Sequence, residues 1–389
     1  MMMDWRARAA AAIPGGTSTG SKRPDAMFGA GQSGPTHITD ALGCRIRTAD
    51  GRWLIDLTAA LGAVSIGYAD PAITEAVCRA AARGPAAGLP FVDEVTLAER
   101  LRELLPSAAQ SRFLKSGAEA CAAAVRIARA HTGRDRVLGS GYFGWLDWWS
   151  PAVGVPAGAH ADYTHLPFND REAWRNALAA AGDSVAAVMI EPLVEVLADA
   201  DWLRDLRDEC DRIGAVLIFD EVKTGFRLHT GGAQTVLGVT PDLTTLGKAI
   251  ANGYPLAAVT GRADVMGAAQ RTWISSTLST ELVSIAAAHA VLDQHASRDV
   301  CALLATNGQA LRRTIADAAR TAGAPLEITG HDTMFIIRWP DESTQDRTLA
   351  SLRSAGVLAK RGPYQFPICA MLPADIAAVG DAFHWALTR

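Results

Sequence analysis

The stretch that most constrains this chain is VLIFDE at residues 216–221. Val216, Leu217, Ile218 and Phe219 form an unbroken apolar run, which suits a short strand buried on both faces. Such a strand belongs inside a mostly parallel sheet covered by helices. Asp220 and Glu221 follow at once, so two carboxylates stand at the carboxyl end of the strand. Open α/β sheets bind their ligands at that end.

A second feature lies just downstream, where Thr244-Thr245-Leu246-Gly247 leads into Lys248, then Ala249 and Ile250. A lysine between a glycine and small apolar residues is poorly solvated. Removing it from water lowers its pKa, and a neutral amine can form a Schiff base with an aldehyde. A carboxylate and such a lysine are the pair that pyridoxal phosphate needs, one for the pyridinium nitrogen and one for the aldehyde. The same residues also have a plainer reading, as an ordinary strand end and a surface lysine after glycine.

The remaining pattern agrees with a large α/β protein. The chain has 389 residues, nearly half of them apolar, and a formal net charge of -4. That length suits two domains or one large one. No basic block with interleaved aromatics points to nucleic acid, and no apolar stretch is long enough for a membrane span. The six cysteines, Cys44, Cys78, Cys121, Cys210, Cys301 and Cys369, form no CxxC pair and have no histidine at metal-ligand spacing. They read as reduced thiols of a cytoplasmic protein with no metal site. MMMDWRARAAAAIPGG lacks a secretory pattern and predicts a first helix ending before Pro14-Gly15-Gly16.

Along the chain, residues 38–58 predict short strands with turns. Pro71 opens a helix with Ile73, Val77, Ala80 and Ala81 along its buried face. A second helix covers 95–105. Phe113-Leu114-Lys115 enters Ser116-Gly117-Ala118, followed by an alanine-rich helix. A glycine loop feeding a helix N-terminus can cradle a phosphate, although Ser-Gly is also an ordinary cap. Strands at 137–138, 185–190 and 256–259 and helices at 172–181, 202–213 and from 281 complete an alternating βα pattern over about 68–290. The last hundred residues or so predict a smaller α/β unit, with helices at 303–319 and 373–387 around a strand at 334–338. Lys360-Arg361-Gly362-Pro363-Tyr364 reads as a substrate-facing segment or as a basic loop.

DEVKTGF and PDLTTLGKAIANGYPLAAVTG, with IPGGT, SGAEACAAAVRIARA, GYFGW, IEP and SSTLSTELVSIAAA in the same order, closely resemble class III (fold type I) pyridoxal-phosphate aminotransferases. The resemblance is nearest to the glutamate-1-semialdehyde aminomutase branch. It implies a large domain (68–294) with a mostly parallel seven-stranded sheet flanked by helices. It also implies a smaller α/β domain built from both termini (1–67 and 295–389). Lys248 would carry pyridoxal 5'-phosphate and Asp220 would face its ring nitrogen. Tyr142 and Val222 would lie on opposite faces of the ring. Ser116, Gly117 and Ala118 would hold the phosphate, with Thr277 reaching the phosphate of a neighbouring subunit in a homodimer. Thr277 otherwise reads as part of a polar loop.

Three positions depart from the family pattern. Ala118 replaces the usual hydroxyl residue, Phe143 replaces a histidine at the cofactor, and Lys22 stands where the aminomutase branch has a substrate-binding arginine. A lysine lacks the bidentate fork of an arginine. Trp145, with Trp148 and Trp149, reads as core or as the lining of a substrate pocket.

The implied activity is amino transfer between a small-molecule donor and a keto or aldehyde acceptor, in specialised metabolism, with the 2,1-aminomutase reaction, another isomerisation or racemisation as the alternative. A Rossmann oxidoreductase would need G-x-G-x-x-G after the first strand, and Gly15-Gly16 and Gly231-Gly232 lack that spacing and context. A non-catalytic scaffold would have no use for Asp220 and Lys248 together.

Overall fold

The computed structural model describes residues 4–389. The chain forms two compact units. One contains the residues up to Pro71 together with Asp299–Arg389, and the other is Ala72–Arg298.

The second unit is built on a seven-stranded sheet. In spatial order its strands are Gln110–Leu114, Ala257–Gly261, Leu243–Leu246, Val216–Asp220, Val185–Ile190, Arg136–Ser140 and Tyr163–His165. Ala257–Gly261 runs antiparallel to both neighbours, and the other pairs are parallel. The apolar runs at 185–190 and 216–220 are buried along their whole length, as strands covered on both faces must be.

Strand alternation decides which face each residue serves. Leu217 and Phe219 pack with Trp174 and Leu178 of helix Arg171–Ala181 and with Trp202, Leu206 and Cys210 of helix Ala200–Ile213. Val216 and Ile218 pack on the opposite side, against Cys121, Ala124, Val125 and Ala128 of helix Gly117–Thr132. Burying each of the larger side chains stabilises the unit by roughly 1.5–3 kcal/mol. Asp220 lies two residues beyond Ile218 and therefore shares its face, toward helix Gly117–Thr132.

Helix Pro71–Ala82 forms where Pro71 predicts it, with a narrower buried stripe than expected. Ile73 and Ala80 are buried, Val77 is half-buried, and Ala81 is exposed. Seven residues are almost two full turns, so Ala80 returns beneath Ile73 while Ala81 is carried round toward solvent.

The first unit holds a sheet of Ile38–Leu42, Arg45–Thr48 and Trp53–Asp56, with Val357–Leu358 added parallel to Trp53–Asp56. Residues from both ends of the chain thus share one sheet. A three-stranded sheet of Glu327–His331, Met334–Arg338 and Tyr364–Gln365 and the paired helices Val300–Thr321 and Pro373–Leu387 complete the unit. Arg361 pairs with Glu342 at 3.0 Å and Asp346 at 3.2 Å. These pairs tie the segment around Arg361 to its own unit. All six cysteines are free thiols. Among the described residues, no helix is long and apolar enough to cross a membrane.

Candidate active site

The two adjacent carboxylates separate into two roles. Glu221 is completely buried and turns into its own loop. It accepts from the backbone N–H groups of Ala233 at 2.5 Å and Gln234 at 3.2 Å, and from the Thr224 hydroxyl at 3.1 Å. This carboxylate braces the turn between the strand and helix Gly232–Leu237. Asp220 turns the other way. Its Oδ1 accepts from Val222 N at 3.0 Å and from the Thr245 hydroxyl at 3.0 Å, and the Cys121 thiol donates to Oδ2 at 3.4 Å. Burial pushes the Asp220 carboxyl up, while these donors and the nearby Lys248 charge oppose that rise. The Cys121 thiol is held well above its usual value by burial and by Asp220, so it remains a donor.

Lys248 follows strand Leu243–Leu246, the neighbour of Val216–Asp220. Its pKa is pushed down to about 8, first by burial and then by the charges of Lys223 and Arg227, against the opposing pull of Glu191 and Asp220. Its backbone is left-handed, with φ of 49°, a conformation that costs a non-glycine residue on the order of 1–3 kcal/mol and is typical of functional positions.

Helix Gly117–Thr132 begins with a capping box. Ser116 Oγ accepts from Glu119 N, and the Glu119 carboxylate accepts from Ser116 N at 2.8 Å. The N–H groups of Gly117 and Ala118 have no acceptor among the described residues, and the dipole of the helix makes this end attractive to an anion. Val222 locks the three segments together. A Cβ placed on Gly117 would stand 2.7 Å from Val222 Cγ1, and one on Gly247 would stand 3.2 Å from it. The helix start, the Asp220 strand and the Lys248 turn therefore meet at closest approach, and glycine is needed where they meet.

The aromatic segment divides. Tyr142 is largely exposed, with its backbone N–H on Glu191 Oε2 at 3.2 Å and its ring edge-on to Trp149. Phe143, expected at the cofactor, is a core residue. It is fully buried, stacked on Trp148 with centroids 5.9 Å apart and edge-on to Trp149 and Tyr163. The cause is the reversal of direction between neighbouring side chains, which leaves Tyr142 outside and sends the apolar ring inward. Trp148 and Trp149 join the same core. Trp145, expected near substrate, is 77% exposed and lines a groove of about 510 Å³ with Ala122, Val125, Arg126 and Arg129. None of the Lys248 cluster lines that groove.

The sequence pattern of the class III aminotransferases matches residues 28–142 and 150–378. The chain belongs to the class III aminotransferase family. The match is interrupted at 143–149, the segment that holds Phe143, Trp145, Trp148 and Trp149. A glutamate-1-semialdehyde 2,1-aminomutase of Sorangium cellulosum (strain So ce56) is 37% identical over 394 aligned positions, covering 92% of this chain and 88% of that protein. The pyridoxal-phosphate internal aldimine form of the FumI protein of Sphingopyxis sp. MTA144 superposes with a TM-score of 0.95 at 29% identity, covering 100% of this chain and 95% of the other. An omega-transaminase from Sphaerobacter thermophilus gives a TM-score of 0.88 at 31% identity, covering 99% and 96%. The fold is fold type I of the pyridoxal-phosphate enzymes, and class III aminotransferases use that cofactor.

The residues present fit pyridoxal phosphate. The cluster offers an amine with a depressed pKa, a buried carboxylate, unpartnered N–H groups at a helix start, and close packing at Val222. Two contributors escaped the sequence reading. Thr245 faces Asp220 across the strand pair, and Cys121 faces it from the first turns of the helix. Counting parity from Ile218 would have pointed Asp220 at that helix. Thr277 lies exposed in a turn between the exposed Trp273 and Leu278. Lys22 ends the short helix Gly20–Lys22 of the other unit, with its side chain exposed.

Proposed function

We propose that the chain is an aminotransferase that moves an amino group from a small-molecule amine to a keto or aldehyde acceptor, working as a cytoplasmic homodimer in specialised metabolism. The observation that carries this reading is the meeting of Lys248, Asp220 and the Gly117–Ala118 helix start around Val222. When bound, pyridoxal phosphate supplies an aldehyde that takes up amino groups and a ring that accepts electrons.

The protein's own groups then have defined tasks. Lys248 Nζ would hold the cofactor's aldehyde and, once free, take the proton from the substrate carbon and return it elsewhere. A pKa of about 8 suits an acid–base group working near neutral pH. Asp220, steadied by Thr245 and Cys121, would face the ring nitrogen and keep it protonated. The side chain of Val222 would support one ring face and Tyr142 would cover the other. The N–H groups of Gly117 and Ala118, beside the capped Ser116, would bind the phosphate. Lys22 would offer a point charge to a substrate carboxylate.

The apolar exposure of Trp273 at 83% and Leu278 at 53% on either side of Thr277 supports a second copy covering this segment, with Thr277 completing the phosphate site of its partner. Free thiols support a reducing compartment.

The 2,1-aminomutase reaction is the second reading, favoured by the names of relatives such as the Sorangium protein. The departures at Lys22, Phe143 and Ala118 favour transfer between two substrates. Purified protein should show a visible band that borohydride fixes onto Lys248, and Lys248→Ala should lack it. Amino donors should then release a keto acid. Turnover of a single substrate with no keto acid would decide for the mutase, and the lack of any band with added cofactor would end the catalytic reading.

A further inference from the structure

Lys223 belongs to the same cluster, and the proposed reaction gives it no task. Its Nζ pairs with Oε1 of Glu191, and both side chains are largely buried, at 13% and 4% exposure. Glu191 stands at the end of strand Val185–Ile190, and its other oxygen accepts the backbone N–H of Tyr142 at 3.2 Å. Gly141 lies directly against it, because a Cβ there would stand 2.6 Å from Glu191 Cβ. One buried carboxylate thus clamps the loop after Asp220 to the loop that carries Tyr142.

A buried ion pair is a weak source of stability, since apolar side chains of similar volume serve as well or better. Its place beside a reactive amine suggests a different purpose. The charged groups facing Lys248 are Lys223 and Arg227 from the segment after Asp220, Asp220 itself, and Glu191 from the neighbouring strand. Cys121, against Asp220, is a neutral thiol. Two carboxylates beside one amine would draw a proton onto it. A lysine paired with one of them cancels that pull, and a neighbouring cation is a known way to keep a reactive lysine neutral.

We propose that Lys223 and Glu191 form a charge-setting and positioning pair for Lys248: Glu191 fixes the Tyr142 segment, and Lys223 offsets Glu191 so that Lys248 gives up its proton more readily than it would beside two unopposed carboxylates. Lys223 is a positioning residue, since it acts through Glu191 and through its field. The proposal rests on the reading of Lys248 as the reactive lysine.

The test needs no turnover. The full-length chain is freed of cofactor, and acylation of Lys248 by dilute acetic anhydride is followed against pH by peptide mass. Lys223→Met should raise the midpoint by about one pH unit and Glu191→Gln should lower it by a similar amount, the scale expected of one neighbouring charge. Lys223→Arg should restore the wild-type midpoint, and the double variant should lie near it. Loosening of the fold alone would move both single variants in the same direction, so shifts of like sign, or no shifts, overturn the proposal. Should Lys223→Met fail to fold, Glu191→Gln decides alone, since it keeps an acceptor for Tyr142, and a midpoint at or above wild type overturns the pair. Failure of the wider reading shows separately, as cofactor that borohydride does not fix onto Lys248 in the wild type.

Discussion

The central sheet carries buried carboxylates at both ends, and the two ends are built from different partners. At the amino ends of the parallel strands, Asp242 accepts from Leu217 N at 2.8 Å and pairs with Arg207 at 2.9 Å and Arg262 at 2.7 Å. A groove of about 600 Å³ opens there, lined among others by Arg102, Arg207, Arg262, Asp211, Asp242 and Asp264. Those charges cancel, and guanidinium groups do not give up protons. At the carboxyl ends, Asp220 is met by a hydroxyl, a thiol and an amide, and the cations nearby include the amines Lys248 and Lys223. The cations of the wide cleft are therefore fixed, while the compact cluster holds an amine that can exchange a proton. What distinguishes a reactive end from a structural one here is the chemistry of the partners, more than the size of the opening.

Substituting the buried acid at each end should break different things. Asp220→Asn keeps the shape and removes the charge, so turnover should fall about 10³-fold, within the range of acid–base contributions, while thermal unfolding changes little. Asp242→Ala removes the side-chain acceptor of Leu217 N and leaves Arg207 and Arg262 with only Asp211 and Asp264, so it should cost about 1–3 kcal/mol of stability, with turnover per folded molecule nearly unchanged. Parallel kinetics and denaturant titrations check both. A folded Asp242→Ala protein that has lost turnover would erase the contrast between the ends.

Protonation gives a smaller and more specific contrast. Lys248 sits at about 8 in the folded chain against an ordinary 10.5. Between those values the unfolded chain holds a proton that the folded chain has released, so stability without cofactor should rise with pH across this window. Below about pH 8 the folded state carries the whole penalty of a buried cation. Lys248→Met should therefore stabilise the cofactor-free protein at pH 7 by about 1–3 kcal/mol, and the gain should shrink as pH climbs toward 10. A gain independent of pH would assign it to packing.

Much of this was legible in the sequence because the strand at 216–220 is unambiguous. Its apolar run declares a buried strand, and the carboxylates at its end declare a site. Parity puts Asp220 on the face of Ile218 and Glu221 on the face of Phe219, but the sequence could not say what covers either face. Cys121 was hidden for the same reason, since within an alanine-rich helix it reads as a small apolar filler. Phe143 was placed at the cofactor because it stands where the family pattern has a histidine, whereas its ring packs with Trp148, Trp149 and Tyr163 in the core. Trp145 shows the reverse, an aromatic that the local pattern placed near substrate and that the fold leaves on an open groove.

The smallest effect sharpens the account of the phosphate end. Ser116 Oγ accepts from Glu119 N at 3.3 Å and donates to its carboxylate at 2.9 Å, so the hydroxyl is already engaged in the capping box. Ser116→Ala should therefore cost about 1 kcal/mol of stability, the usual worth of such a cap. Cofactor affinity should fall by less than about threefold, because the N–H groups of Gly117 and Ala118 remain. Thermal unfolding of the cofactor-free protein and a cofactor titration separate the two quantities. A much larger loss of affinity with the same small loss of stability would mean that the hydroxyl leaves Glu119 for the phosphate when cofactor binds, and the helix start would then belong with the exchanging partners around Asp220 and Lys248.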